Sequence, residues 1–352
     1  MARQRPERHN AMAESLITSG PEERAGAEGR WRAVLRALTS RQELVILALV
    51  LLVAAGLSLL SANFYQPTNL LNLARNVSWF AVAALGVSMV IVIGGIDLSV
   101  GAVMALAGLV CGLCLRAELP LALAIAAGLA AGGAAGLLNG LLVARLNLPP
   151  FIVTLGTMGV ARGLTFGLTN GAPIRDLPLE FRALGQSDLQ IGALTLPASL
   201  LAMAVLAGLV ALLLDRTVMG RYIYTLGRDE LALRLVGVPT EQIKMAVYTL
   251  SGLLAACGGI MMTAWLGVAA PTAAEGYELD IIAAAVIGGA SLFGGEGGVV
   301  GAVLGTLLML MVRNGMVLLG FPAYWQVGAI GAMILAVVLI DYLRRRRLTR
   351  GS

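Results

Sequence analysis

Residues 94–102 read Gly94-Gly95-Ile96-Asp97-Leu98-Ser99-Val100-Gly101-Ala102. Apolar runs flank them, Asn76–Ile96 before and Leu98–Leu115 after. A carboxylate fenced by glycines in that setting marks a break in a membrane helix. Glycine frees the backbone, and an ionisable group at membrane depth is costly and points to function. Non-helical backbone survives at that depth only where protein or a watery cavity surrounds it. Two roles fit Asp97. It caps the helix that follows, accepting N–H groups at the positive helix end with Ser99 sharing the work, or it touches a transported solute.

The rest of the chain places this motif in a bilayer. Of 352 residues, 58% are hydrophobic and 13% charged, about half the charge of a water-soluble domain. Three cysteines and one histidine argue against a disulfide scaffold or a Cys/His metal site. Cys111 and Cys114 read as small apolar helix residues. The stretch through Glu43 is polar and reads as a mobile tail with a short basic amphipathic piece near Trp31–Leu38. It is too long and too acidic for a signal peptide.

About 20 apolar residues cross a bilayer. Uncharged stretches recur at Leu44–Ala62, Asn76–Ile96, Leu98–Leu115, Leu119–Ala144, Leu146–Ala161 (continuing past Arg162 to Asn170), Ile191–Leu214, Ala246–Ala270, Ile281–Gly295, Gly297–Val312 (continuing past Arg313 to Leu319) and Ala323–Ile340. The expected fold is therefore all-α, a polytopic transmembrane helical bundle of about ten helices, some broken or re-entrant. The domain plan is a polar tail over 1–42, a membrane domain over 43–343 with a charged loop over 215–244, and a basic C-terminus over 344–352. An even span number puts the tail, Arg145, the Asp215–Lys244 loop and the C-terminal arginines on one side. That side is the cytoplasm by the positive-inside rule, so both termini are expected there. The opposite face receives Glu118, Asp176, Glu180, Asp188, Glu275, Glu278 and Asp280.

Gly128, Gly132, Gly136 and Gly140 recur every four residues and define one helix face for close backbone packing. Gly297, Gly301 and Gly305 repeat the device. The opening motif also has an echo. Ile93–Ser99 resembles Ile287–Phe293, and both are followed by Gly-Ala-Val, at Gly101 and Gly301. Paired glycine-interrupted segments in two halves of a transporter point to its central pathway. Arg162, Glu296 and Arg313 are further charges within or beside spans. The candidate pathway set is Asp97, Ser99, Asn139, Thr154, Thr157, Asn170, Phe293 and Asn314; a helix–helix hydrogen bond is the competing role for the neutral ones.

The loop Gly220–Pro239 holds a second pattern. Asp229 caps a short helix from Glu230, Glu230 and Arg234 form an i,i+4 pair, and Gly237 with Pro239 ends it. Leu231, Ala232, Leu235 and Val236 share one face. Such a helix fits a partner's groove or lies on lipid headgroups. No G-x-x-x-x-G-K-[ST] occurs, so the chain has no P-loop for a nucleotide.

Five ordered stretches carry a resemblance. They are GGIDLSVGA at Gly94–Ala102, NGLLVARLNLPPFIVTLGTMGVARGL at Asn139–Leu164, TNGAPI at Thr169–Ile174, GRYIYTLGRDELALRLVGVP at Gly220–Pro239 and AAAVIGGASLFGGEGGVVGAVLGTL at Ala283–Leu307. Together they resemble the membrane permeases of bacterial ABC importers for ribose, xylose and related sugars, within a superfamily that includes branched-chain amino-acid and nucleoside permeases. The resemblance runs from about Ser40 to Arg347. It implies an inner-membrane permease that is not itself an enzyme. Its partners are then a second permease copy, most simply a homodimer, an ATPase with two nucleotide-binding modules, and a periplasmic sugar-binding protein. It implies no cofactor in this chain, since ATP and Mg belong to the ATPase, and no nucleic acid. Gly227, Arg228, Asp229, Glu230, Leu231, Arg234, Leu235 and Gly237 then form the coupling element to the ATPase. Competing readings are the same importer class for a polyol, autoinducer, nucleoside or amino acid, an ion-coupled secondary transporter, and a passive channel. The long tail departs from the family pattern.

Overall fold

A computed structural model describes residues 42–339, less Ala193, Ala323, Ile334, Val337 and Val338. The expected tail and basic C-terminus lie outside the described residues. The chain divides between Val45 and Ile46. Of the first unit only the start of one helix is described, and the architecture below is that of the second.

The elements in order are α1 (Gln42–Leu60), α2 (Pro67–Val92), α3 (Val100–Arg116), α4 (Leu121–Ala144), α5 (Pro150–Thr169), α6 (Leu179–Gln186), β1 (Asp188–Ile191), β2 (Leu194–Pro197), α7 (Ala198–Arg216), α8 (Val218–Arg228), α9 (Glu230–Leu235), α10 (Thr240–Leu266), α11 (Tyr277–Ile287) and α12 (Val299–Leu318). Residues 324–333 are again helical. Among the described residues seven helices are long and apolar enough to cross a membrane: α1, α2, α4, α5, α7, α10 and α12. Proline opens five of them, at Pro67, Pro120, Pro149, Pro197 and Pro239, and Pro178 opens the short α6. At a helix start its missing N–H is no loss and its fixed φ suits the first turn.

Two expected spans are shorter than the apolar runs suggest. The run Ile191–Leu214 is helical only from Ala198. Before that, β1 and β2 form an antiparallel hairpin with Leu189 opposite Leu196, and Gly192 turns it at φ 65°. The run Ile281–Gly295 contains α11, which ends at Ile287; the glycines beyond it form a loop.

The core is built on α2 and α10. Every residue from Val77 to Val92 on α2 is buried, whereas α1, α5 and α7 keep many large apolar side chains on the surface. A helix apolar all round belongs inside; one with outward leucines suits lipid. The glycine face of α4 packs as its spacing predicts. A side chain on Gly132 would overlap Gly252 of α10, one on Gly136 the Tyr248 carbonyl, one on Gly140 would overlap Met245, and one on Gly128 would overlap Ala107 of α3. Backbones meet there because nothing projects between them. Gly301 and Gly305 bring α12 against Gly288 and Ala284 of α11 in the same way.

The echo between the two glycine breaks is structural, with a one-residue correction to its register. At the end of α2, Gly94 N–H bonds Ile91 O and Gly95 N–H bonds Val90 O. At the end of α11, Gly289 N–H bonds Val286 O and Ala290 N–H bonds Ala285 O. Both are Schellman closures with a left-handed glycine after the cap, φ 78° at Gly94 and 99° at Gly289. Gly94 therefore corresponds to Gly289 rather than Gly288, and Asp97 corresponds to Leu292 rather than Ser291.

Candidate functional site: a buried polar knot and a surface helix

After Gly95 the chain runs without regular structure to Ser99, the residue before α3. Asp97 is 2% exposed. Its Oδ1 accepts from the Ser99 amide at 3.0 Å and from Ser99 Oγ at 2.6 Å. Its Oδ2 accepts from Ser251 Oγ of α10 at 3.0 Å. Asn139 Nδ2 of α4 donates to Ser99 Oγ at 3.0 Å, and Thr157 Oγ1 of α5 donates to Asn139 Oδ1 at 2.6 Å. Thr154 Oγ1, one turn earlier on α5, donates to the Ile96 carbonyl at 3.2 Å. The knot thus joins the break to α4, α5 and α10.

Its depth follows from α10. Ser251 lies eleven residues after Thr240, about 16 Å along a helix rising 1.5 Å per residue, with about 22 Å remaining to Leu266. The knot is therefore near mid-helix. No cation forms an ion pair with Asp97 among the described residues. Its two oxygens accept only from hydroxyl and amide donors of Ser99 and Ser251 among the described residues. The amide it bonds is that of Ser99, the residue just before α3, and the first turn of α3 has no side-chain cap. Tyr248 Oη, fully buried beside Gly95, has no hydrogen-bond partner among the described residues. Ser251 and Tyr248 went unremarked in the sequence because they sit in an ordinary helical run, three residues apart on one face of α10.

Five of the eight candidate pathway residues, Asp97, Ser99, Asn139, Thr154 and Thr157, meet in this knot. Three do not. Asn170 is the left-handed cap at the far end of α5, φ 51°. Asn314 exchanges amide hydrogen bonds with Asn69 at 2.9 and 3.2 Å, joining α12 to the start of α2. Phe293 lies in the loop after α11 and is 61% exposed. The other charges are also placed. Arg162 Nη1 donates to the carbonyls of Pro271 and Ala273 at 2.9 and 2.8 Å. Arg313 pairs with Asp280 at 2.9 Å and lies 4.9 Å from the Tyr277 ring centre. Glu296 is exposed.

The second candidate element is α9. Asp229 Oδ1 accepts from the Ala232 amide at 2.9 Å, the expected cap. Gly237 N–H bonds Arg234 O and Val238 N–H bonds Leu233 O, a Schellman stop with Gly237 at φ 77°. Leu233 is the inward anchor, while Leu231, Leu235 and Val236 are 67, 79 and 74% exposed. Glu230 bonds both Arg234 and Lys244 at 2.7 Å. Burial opposes its charge, but the hydrogen bonds and charges of Lys244 and Arg234 outweigh burial and hold its carboxyl below the ordinary value. The helix before it, α8, touches both glycine breaks. Tyr224 Oη donates to Gly297 O at 2.9 Å, Arg228 Nε donates to Gly295 O at 3.3 Å, and Gly295 N–H donates to Val92 O at 2.8 Å.

This arrangement, a helical membrane bundle with two broken helices and a capped helix on its surface, has relatives. The family model of the branched-chain amino acid transport system / permease component matches residues 69–338. The chain belongs to this family. It is a multi-pass membrane protein and a transport component. It is 38% identical over 307 residues to the ribose import permease protein RbsC of Haemophilus influenzae, covering 86% of this chain and 94% of that one. Its identity to the ribose import permease protein RbsC of Bacillus subtilis is 42% over 287 residues, 81% and 88% of the two chains. The fructose import permease protein FrcC of Rhizobium meliloti is 34% identical over 308 residues, 86% and 85%. No solved structure shows a significant match.

Proposed function

We propose that this chain is the membrane permease of an ATP-binding cassette importer that brings a monosaccharide, ribose or a close relative, into the cytoplasm by alternating access. The observation that supports this best is extent. Relatives named as ribose import permeases align with more than four-fifths of this chain and more than four-fifths of their own length. Two copies form the pore in a bacterial inner membrane, with both termini and α9 on the cytoplasmic side. An ATPase with two nucleotide-binding modules receives α9, and a periplasmic binding protein delivers the sugar. ATP and Mg act in the ATPase; this chain supplies the pathway.

The knot suits a neutral, hydroxyl-rich solute. Its groups are hydroxyls, an amide and one carboxylate, each paired with another of them or with a backbone carbonyl. Shifting α5 away from α4 would separate Thr157 from Asn139 and present acceptors and donors to a sugar in exchange. The exchange keeps the Thr157 hydroxyl and the Asn139 amide satisfied, since an unpaired polar group at that depth is costly. Asp97 holds the break in shape throughout, by its bonds to Ser99 and Ser251.

The exposed apolar face of α9, Leu231, Leu235 and Val236, fits a groove on the ATPase. The double variant Arg234→Glu, Leu235→Asp is expected to reach the membrane in normal amount and to lose ATPase association and uptake. Unchanged uptake would remove the coupling assignment. Substrate class is read in a bacterium lacking its own ribose uptake. Expressed with its ATPase and binding protein, this permease should restore growth on limiting ribose. Restoration on an amino acid, nucleoside or polyol and not on ribose would assign it to another solute.

A further inference from the structure

We infer that Tyr224 and Gly227 on α8 are positioning residues that carry the movement of α9 to both glycine breaks at once. The inference rests on the coupling reading of α9 and specifies how that element reaches the pathway. The last turn of α8 is bolted to a strip of backbone rather than to side chains. Gly227 lies on the Val92 carbonyl and the Gly295 amide so closely that a methyl group there would overlap both, and Gly294 lies against the Gly227 carbonyl. Gly295 N–H donates to Val92 O at 2.8 Å, so the loop after α11 and the last turn of α2 are joined beneath Gly227. One turn back, Tyr224 Oη donates to Gly297 O at 2.9 Å.

Val92 is the last residue of α2, two before the left-handed Gly94 and five before Asp97. Gly295 and Gly297 lie in the loop that leads into α12. One helical turn of α8 therefore grips the exits of both Schellman closures. The loop it holds is glycine-rich: Gly289, Gly294, Gly295 and Gly297 all have positive φ, and the bonds of Gly295 and Gly297 to α2 and α8 tie down its far end. The other end of the linkage is stiff: the Asp229 cap joins α8 directly to α9, and the Glu230–Lys244 pair ties α9 to the start of α10. A displacement of α9 thus has a short covalent and hydrogen-bonded route to Val92 and from there to the Asp97 knot.

The test uses the importer reconstituted from this permease with its ATPase and its solute-binding protein, and reads sugar uptake and ATP hydrolysis together. Tyr224→Phe keeps the ring and removes one hydroxyl. It is expected to leave complex assembly and ATP hydrolysis near wild type while lowering sugar moved per ATP about fivefold, the scale of one hydrogen bond. Gly227→Ala should lower that ratio further. Thr225→Val serves as control and should keep the wild-type ratio, because the Thr225 hydroxyl donates to the Arg221 carbonyl within α8 itself. A merely structural role would lower assembly, hydrolysis and uptake in parallel, and that outcome overturns the inference. So does a wild-type ratio in Tyr224→Phe. If Gly227→Ala fails to accumulate in membranes, Tyr224→Phe decides alone. Leu235→Asp separates the premise: should it retain ATPase association, the coupling reading of α9 fails, whereas its loss alongside a wild-type ratio in Tyr224→Phe refutes only the transmission route.

Discussion

Asp97 is held by donors rather than by a cation, and that fixes what its substitution should do. Replacing it with asparagine keeps the size but trades an acceptor oxygen for an NH2 group. If the NH2 replaces Oδ2, the Ser251 hydroxyl must turn from donor to acceptor, and a bond to a carboxylate oxygen becomes one between neutral groups. Hydrogen bonds to charged groups are worth about 1.5–3 kcal/mol, which corresponds to a tenfold effect or more. Asp97→Asn is expected to lower uptake at least about tenfold while the complex still assembles; reduced assembly with normal uptake per complex would make the aspartate purely architectural. Ser251→Ala removes only the Oδ2 bond and should give a smaller loss in the same assay. Part of this site was legible in the sequence, because a carboxylate among glycines in an apolar run has few uses, and Ser99 stands at cap distance. Thr154, Thr157 and Asn139 were also legible as polar groups in spans. Their convergence was not, since it depends on α4 and α5 crossing the break at one depth. Ser251 and Tyr248 gave no signal: a serine or tyrosine inside a long helix reads as an ordinary core residue until its neighbours are known.

At the scale of elements, caps decide. The helix α9 is six residues long, too short to persist on propensity alone. It stands because Asp229 starts it, Gly237 stops it, Leu233 anchors it and Glu230 braces it against Lys244 and Arg234. The Glu230 carboxyl is held below its ordinary value, so its contribution is fully present above the unfolded value of about 4.3 and is lost as pH falls through the lower folded value. Hydrogen exchange of the α9 amides should therefore show constant protection from pH 5 to 8 once corrected for intrinsic rates, and loosening only below about pH 4. In Glu230→Gln that acid-side loosening should vanish and protection at pH 7 should be lower; an unchanged acid limb would detach it from Glu230. The caps of α9 and its exposed face were readable from residue type and spacing alone. The break after α11 was readable too, but its register was not: matching letters set Gly94 against Gly288, while hydrogen bonding sets it against Gly289. Letters follow chemistry at each position, whereas a Schellman closure follows where the helix runs out of carbonyls. The hairpin over Asp188–Pro197 was hidden for a related reason, since its apolar residues blend into the run that continues through α7.

At the scale of the molecule, glycine replaces side-chain bulk wherever helices must cross closely. The four glycines of α4 meet α10 and α3 backbone to backbone, so Gly136→Leu should prevent stable accumulation in the membrane, read as loss of a monodisperse protein after detergent extraction. The helical fold and its membrane character were legible from hydropathy because a bilayer forces every backbone polar group to be satisfied within its own helix. The central place of α2 and α10 was less so, because a span that faces lipid and one that faces protein are both apolar. The family assignment rests on similarity along nearly the whole chain, and the sugar and the energy source are proposals built on it. The measurement that tests them most directly is uptake of labelled ribose into proteoliposomes holding this permease with its ATPase and its solute-binding protein. The account predicts accumulation against a gradient that needs ATP, the binding protein and an intact α9, and that an imposed proton or sodium gradient cannot replace. Accumulation driven by an ion gradient without the ATPase, or mere equilibration with every component present, would contradict it.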